Sequence, residues 1–179
     1  MNDYADAYVR YLNHFHVERD YFECHEVLEE FWKEHPDDPQ AEAYVALIQI
    51  AVASYHQRRG NLRGAVKMFN AALERLARTS VQTLGLDGTA LKSMLAGRLQ
   101  ELERGTPFSD INLPITDTQL LERCKQSCSD PDRWGTSSEA GDTFLLHKHT
   151  MRDRSGVVEE REKQRQIKAS RRSGGSPDL

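Results

Sequence analysis

Large apolar residues recur along the first two thirds of the chain at intervals of three and four positions, the spacing that places them on one face of an α-helix. The first such segment covers residues 3–16 and is predicted as an amphipathic helix. For the second helix, Asp20 is the predicted N-cap and Glu23 follows three positions later in a capping-box arrangement. This helix is predicted to run through Trp32, where the sequence "KEHPDDP" interrupts the pattern.

The third predicted helix is the longest and most apolar segment of the chain. Asp38 followed by Pro39 predicts an N-cap with proline at the first helical position, and Gly60 predicts a left-handed residue at the other end. Asn61 can cap a fourth helix directly, so the third and fourth helices are expected to form an antiparallel hairpin. A fifth helix is predicted over residues 89–104.

Beyond residue 115 the apolar periodicity weakens. The segment "TDTQLLERCKQ" predicts one short helix, and the sequence after it is rich in turn residues or in charge, which is typical of disordered segments. The predicted fold class is therefore all-α. It comprises a single bundle of about five helices over residues 3–115 and a largely flexible C-terminal extension over residues 116–179.

Composition narrows the classes of partner. The net charge of −4 gives no electrostatic reason to expect nucleic acid or an anionic membrane surface. The longest apolar run, "AYVALIQIAVASY", is shorter than the roughly 20 residues of a membrane span, and the N-terminus lacks the pattern of a secretory signal. Three cysteines argue against a disulfide scaffold, and together these features predict a cytoplasmic protein.

Polar residues stand on two of the apolar helix faces. In the stretch "YFECHEVLEEFW", a helical wheel places His25 and Glu29 on the apolar side, beside Trp32, and the other glutamates toward water. A buried carboxylate costs several kcal/mol unless it is paired, and His25 lies one turn away from Glu29. On the third helix, Gln49 and His56 also fall within the apolar stripe. If the two faces meet, these four residues form one buried polar cluster.

Three interpretations of the predicted cluster stay open. It can be a structural hydrogen-bond network in which His25 donates to Glu29 and Gln49 bridges to His56. It can bind a divalent metal such as Zn²⁺, Mn²⁺ or Fe²⁺ through His25, Glu29 and His56, because two imidazoles and one carboxylate leave a coordination position open. It can also be a pocket for a small polar ligand or for general acid–base chemistry.

A second candidate site lies between the third and fourth helices. Arg58, Arg59 and Asn61 surround the predicted start of the fourth helix, where free N–H groups favour a phosphate or carboxylate. The alternative interpretation is that the two arginines complement the dipole at the end of the third helix.

Cysteine chemistry gives two further expectations. A zinc ligand set can be drawn from Cys124, Cys128, His147 and His149, although their spacing matches no standard zinc finger. Cys24 lies on the apolar side of the second helix and is expected to be an inert buried thiol.

Two combined motifs resemble a family of small bacterial and archaeal helical proteins, domain of unknown function 309. They are "YFECHEVLEEFW" and "LIQIAVASYHQRRGNLRGAVKMF". The resemblance covers about residues 3–115, and it implies an all-helical fold without an assigned activity. The positions that match the family pattern are Tyr21 or Phe22, Glu23, His25, Glu26, Glu29, Trp32, Gln49, His56, Gly60, Asn61, Gly64 and Ala65.

Two functions from different classes are expected from the sequence. The first is a small cytoplasmic protein that binds a divalent metal or small polar ligand at His25, Glu29, Gln49 and His56, with hydrolytic chemistry as one outcome. The second is a non-enzymatic helical interaction module, in which the cluster is structural and the surface recruits a protein partner or a second copy.

Overall fold

A computed structural model of the chain describes residues 3–139, 141–151, 162–163 and 165–166. The predicted all-α class is confirmed for these residues, which contain more α-helices than the five expected. The α-helices are α1 (Asp6–Asn13), α2 (Tyr21–Glu34), α3 (Ala41–Arg58), α4 (Leu62–Leu76), α5 (Gly88–Glu103), α6 (Thr118–Ser127) and α7 (Thr143–Met151).

Several helix ends follow the local sequence signals. The Asp20 carboxylate accepts a hydrogen bond from the Glu23 backbone N–H at 3.0 Å, which caps α2. Asn61 caps α4 in the same way through the Gly64 N–H, also at 3.0 Å. Between α3 and α4, Gly60 has a φ of 74°, the left-handed conformation that lets the chain reverse in a tight turn.

Two helix boundaries differ from prediction. The third helix begins at Ala41 because the Asp38 carboxylate accepts a hydrogen bond from the Gln40 N–H at 2.7 Å and closes a turn before the helix. The first helix ends at Asn13 and continues as a π-helical turn, His14–Glu18.

The core is built around α1, whose tyrosines are fully buried yet hydrogen-bonded. The Tyr8 hydroxyl donates to the Leu84 carbonyl at 2.7 Å, and the Tyr11 hydroxyl donates to the Leu47 carbonyl at 2.8 Å. Each bond satisfies a buried polar group and contributes about 1 kcal/mol, while the rings supply apolar area to the core. Helix α1 is thereby joined to the inner side of α3.

The chain divides into two compact units, Met1–Leu146 and His147–Leu179. The first unit extends beyond residue 115 because α6 packs against α1. Arg123 of α6 donates to the Tyr4 carbonyl and to the Asp6 carboxylate, each at 2.6 Å. The predicted flexibility of the C-terminal extension beyond Met151 falls mostly outside the described residues.

Helices α2, α3 and α4 lie side by side with α3 in the middle. Helix α3 contacts α2 through its tyrosines, with ring centroids 5.5–5.8 Å apart in Phe31–Tyr44 and Phe22–Tyr55. It contacts α4 on its opposite side, where Glu42 is ion-paired with Arg75. Because α1 covers the inner side, one strip of α3 faces away from the core between its two neighbours.

Candidate functional site

The outward strip of α3 and the adjoining edge of α2 carry the four residues of the predicted cluster. On a helical wheel, Val45, Gln49, Val52 and His56 fall between the α3 residues that contact α2 and those that contact α4. All four side chains are partly exposed. We call this surface the outer face; it comprises His25, Glu29 and Trp32 of α2 and Val45, Gln49, Val52 and His56 of α3.

The α2 part of the outer face is a chain of half-exposed charges. His25 Nε2 lies 3.4 Å from Glu29 Oε2, as the i,i+4 spacing predicted, and Glu29 Oε1 also contacts Lys33 Nζ at 3.2 Å. His25 Nδ1 lies 3.1 Å from Glu26 Oε1, although Glu26 was predicted to point toward water. The prediction that His25 and Glu29 are buried is wrong, because their side chains are 27% and 32% exposed. Solvent therefore removes most of the cost of the Glu29 charge.

The α3 part contains one satisfied and one unsatisfied polar group. His56 Nδ1 lies 3.1 Å from the Asn61 amide nitrogen, so its partner is the cap of α4 and not Gln49. Burial and, secondarily, the Arg59 charge lower the pKa of His56, which favours the neutral ring that can accept this hydrogen bond. Gln49 Oε1 is buried and has no hydrogen-bond partner among the described residues. No hydrogen bond within that part of the chain joins His25 or Glu29 to Gln49 or His56.

The predicted metal site is not formed. Among the residues that the structure describes, no group of three or more His, Cys, Asp or Glu side chains could hold a metal ion. His56 turns toward the α4 cap while His25 and Glu29 pair along α2, so the three proposed ligands of Zn²⁺, Mn²⁺ or Fe²⁺ do not converge.

The predicted zinc set takes Cys124 and Cys128 from the first unit and His147 and His149 from the second, and the described residues contain no metal-holding group. Cys124 is buried within α6, and the Cys128 thiol contacts the Lys125 carbonyl at 3.4 Å. The Cys124 thiol is therefore packed in the core, and the Cys128 thiol is bonded locally at the end of α6.

The three residues of the predicted anion site each contact a different partner. The Arg58 side chain is only 6% exposed and pairs with Asp110 at 3.1 Å. The Arg59 guanidinium lies 5.5 Å from the centre of the Tyr55 ring, and Asn61 is committed to the α4 cap. The three side chains therefore do not converge on one anion.

Arg58 belongs to a buried polar network that sequence reasoning missed. The Asp110 carboxylate accepts hydrogen bonds from the Tyr21 hydroxyl at 2.6 Å and from the Ser138 N–H and hydroxyl at 2.6 and 2.7 Å. Burial alone would raise the pKa of Asp110, but the hydrogen bonds from Tyr21 and Ser138, helped by the Arg19 charge, hold it below its usual range. Asp110 is therefore an ionised partner of Arg58, and the pair fixes the loop after α5 against α2 and α3.

Arg19 anchors the same region from inside the core. Its backbone is left-handed, with a φ of 55°, and its guanidinium donates to the carbonyls of Phe15, Ile111 and Thr136 and to the Asn112 side chain at 2.7–3.0 Å. These bonds compensate the burial of the charge. The extensively hydrogen-bonded network ties the loop after α5 to the turn after α1. No local signal in the sequence marks it, because its partners lie about ninety positions apart along the chain.

Three of the cavities bordered by described residues lie away from the outer face. One of about 520 Å³ is bordered by Arg58, Phe108 and Asp110. The other two, of about 410 and 500 Å³, are lined by residues near Tyr4 and near Val81. Cys24 Sγ lies 3.5 Å from the Tyr11 carbonyl, and burial raises the pKa of its thiol, as expected of an inert cysteine.

Comparison with known proteins matches the helical segment that carries the outer face. Residues 8–68 match a family described as Domain of unknown function (DUF309). Over 164 residues the chain is 41% identical to the uncharacterized protein YpuF of Bacillus subtilis (strain 168), an alignment that covers 90% of this chain and 94% of the relative. No solved structure shows significant similarity to the chain. None of the helices in the described residues has the length and apolarity needed to cross a membrane.

Proposed function

The chain belongs to the DUF309 family, and we propose that it is a non-enzymatic helical interaction module whose outer face binds a protein partner. The matched segment contains every residue of this face, from His25 to His56. The outer face is open and elongated, which suits the surface of another polypeptide.

One observation carries the proposal: the outer face combines exposed apolar surface with unused hydrogen-bonding capacity. Trp32 and Val52 pack on the core yet keep part of their surface in water. Gln49 Oε1, between Val45 and Val52, is buried and has no partner within the described part of the chain, at a cost of about 1–3 kcal/mol. A protein partner that covers the apolar side chains would bury them, and a rotation of the Gln49 side chain would bring its unpaired oxygen to a donor on that partner.

A small polar ligand on the same face is the second candidate function. The unpaired Gln49 oxygen favours it, because a rotation of the side chain would offer that oxygen to a ligand, with the partly exposed imidazoles of His25 and His56 as further contacts. Such a ligand would need hydrogen-bond donors for Gln49 and a hydrogen-bonding group facing His25.

We also propose a cytoplasmic location without nucleic acid as a partner. The three cysteines are free thiols, and Cys24 and Cys124 are buried among apolar side chains. Free buried thiols suit a reducing compartment. The net charge of −4 favours a protein partner over a polyanion.

Photo-cross-linking tests the proposal in cells that produce the full chain. Benzoylphenylalanine is placed at Val52 on the outer face and, as the control, at the exposed Ser93 on α5. We expect a discrete protein adduct from position 52 and none from position 93. A chain that forms no protein adduct from position 52 would contradict an interaction module that works through this face.

A further inference from the structure

We infer that the partner of the outer face is a second copy of this chain, related by a two-fold axis parallel to α3. This inference rests on the proposed function and names its partner. In this arrangement α3 lies opposite α3, and α2 of each copy lies against α4 of the other.

The charges of the two flanking helices favour this arrangement. Helix α2 carries five glutamates and one lysine, and α4 carries three basic residues and one glutamate. The outer face is therefore flanked by an acidic helix, α2, on one side and a basic helix, α4, on the other. A surface with opposite charges on its two sides is complementary to itself when a rotation places each side against the other.

Two ring contacts fix the register of α2 on α3: Phe22 with Tyr55 and Phe31 with Tyr44. The two helices run antiparallel with the same rise per residue. Counting from these contacts, Glu26 lies level with Ile50, and Lys33, two residues beyond Phe31, lies level with Glu42.

Two side-chain contacts fix the register of α4 on α3: His56 with Asn61 and Glu42 with Arg75. This pair is also antiparallel, and its register is close to constant from one end to the other. Lys67 therefore lies level with Ile50, and Glu74 lies level with Ala43.

The two registers combine into matched charge pairs between copies. Rotation about an axis parallel to α3 leaves the position of every residue along that axis unchanged, and it exchanges the α2 side with the α4 side. Glu26 of one copy then lies opposite Lys67 of the other, and Lys33 lies nearly opposite Glu74. All four side chains are at least partly exposed and long enough to reach across. A two-fold axis perpendicular to α3 would instead place α2 against α2 and bring like charges together.

Gln49 lies close to this axis, at the same position along it as Gln49 of the other copy. A side-chain amide has both a donor and an acceptor, so two Gln49 amides facing each other can exchange hydrogen bonds. Rotation of the Gln49 side chain toward the axis would bring its unpaired oxygen to a donor on the other copy. Val45 and Val52, which flank it, would be covered in the same step.

Sedimentation equilibrium of the purified full chain tests the inference over about a hundredfold range of protein concentration. The expected mass at high concentration is twice the 20.5 kDa of one chain. The variants are Glu26→Lys, Lys67→Glu and the double exchange, with Lys92→Glu on the exposed surface of α5 as the control. Far-UV circular dichroism and thermal melting check that each variant is folded.

The charge pairing sets the expected pattern. Each single exchange creates like-charge pairs and should raise the dimer dissociation constant about tenfold or more, whereas the double exchange should restore it and the control should leave it unchanged. The inference would be overturned by a dimer whose dissociation constant is unchanged in the single exchanges, or by a chain whose mass stays at 20.5 kDa at every concentration. If the chain is a monomer and position 52 still forms an adduct with a different protein, the inference of a second copy is wrong. The proposed interaction module is then retained.

Discussion

The buried histidine His16 should make the stability of the fold fall steeply in mild acid. His16 lies in the π-helical turn after α1, is 1% exposed, and stacks on Trp134 with ring centroids 4.6 Å apart and an interplanar angle of 6°. Neither ring nitrogen has a hydrogen-bond partner among the described residues. Burial, followed by the Arg19 charge, lowers the pKa of His16 to about 3, while the neighbouring Asn112 side chain acts in the opposite direction.

The direction and size of the effect follow from proton linkage. Because the folded-state pKa is about 3 and the unfolded value is 6.5, the unfolded chain binds more protons between these two pH values. The free energy of unfolding therefore falls as the pH drops through 6.5. The loss reaches about 3 kcal/mol at pH 4 and levels off near pH 3, at 1.36 kcal/mol per pH unit.

The assay is urea denaturation at pH 7 and pH 4, comparing the native chain with His16→Phe. Phenylalanine keeps a ring to stack on Trp134 and removes both the titrating group and its unpaired nitrogens. The variant should match or exceed native stability at pH 7, and its loss between pH 7 and pH 4 should be about 3 kcal/mol smaller.

An exposed histidine provides the matched control. His147→Gln should retain the native pH dependence, because the His147 side chain is exposed. The reasoning is refuted if His16→Phe loses as much stability on acidification as the native chain does. In that case the stacked imidazole would not be the group that resists protonation.

Two further predictions concern the packing around the core. Asp110→Asn should lower the free energy of unfolding by about 3 kcal/mol in urea titrations, because it leaves the Arg58 charge buried without its counter-ion; an unchanged midpoint would contradict the structural role of the pair. Gly85→Ala should lower the melting temperature, because Gly85 has a φ of 72° and an added Cβ would lie 2.8 Å from the Tyr4 hydroxyl oxygen. Gly97→Ala, in α5, should instead raise stability by about 0.5–1 kcal/mol, because no described atom outside its own stretch of helix lies within 4 Å of the added Cβ; equal melting shifts for the two variants would contradict this contrast.

The helices could be predicted from sequence because their signals are local. Apolar periodicity marked α2 to α5, and the caps at Asp20 and Asn61 needed only a neighbour three positions away. The start of α3 was misplaced because Asp38 and Pro39 look like an N-cap and first turn, whereas the Asp38 side chain closes a separate turn. Two local signals of similar form competed there, and only the structure distinguishes them.

The candidate site was predicted less well because its burial depends on how the helices are arranged. A helical wheel placed His25 and Glu29 on the side of Trp32, and they do lie next to each other. The wheel does not reveal whether another helix covers that side, and here the side stays half-exposed. The Arg58–Asp110 pair was missed for a related reason, since its partners are separated by 52 positions and lie on different elements.

The most direct test of an outer face that binds protein is the oxidation of its tryptophan by hydroxyl radicals. The chain contains two tryptophans, so Trp134, which stacks on His16, serves as the internal reference for Trp32 on the outer face. Full-length chain is oxidised in the cells that produce it and as a dilute purified sample. We predict that the ratio of Trp32 oxidation to Trp134 oxidation is lower in cells than in dilute solution. An equal ratio in the two samples would contradict the proposal that this face is covered by another polypeptide.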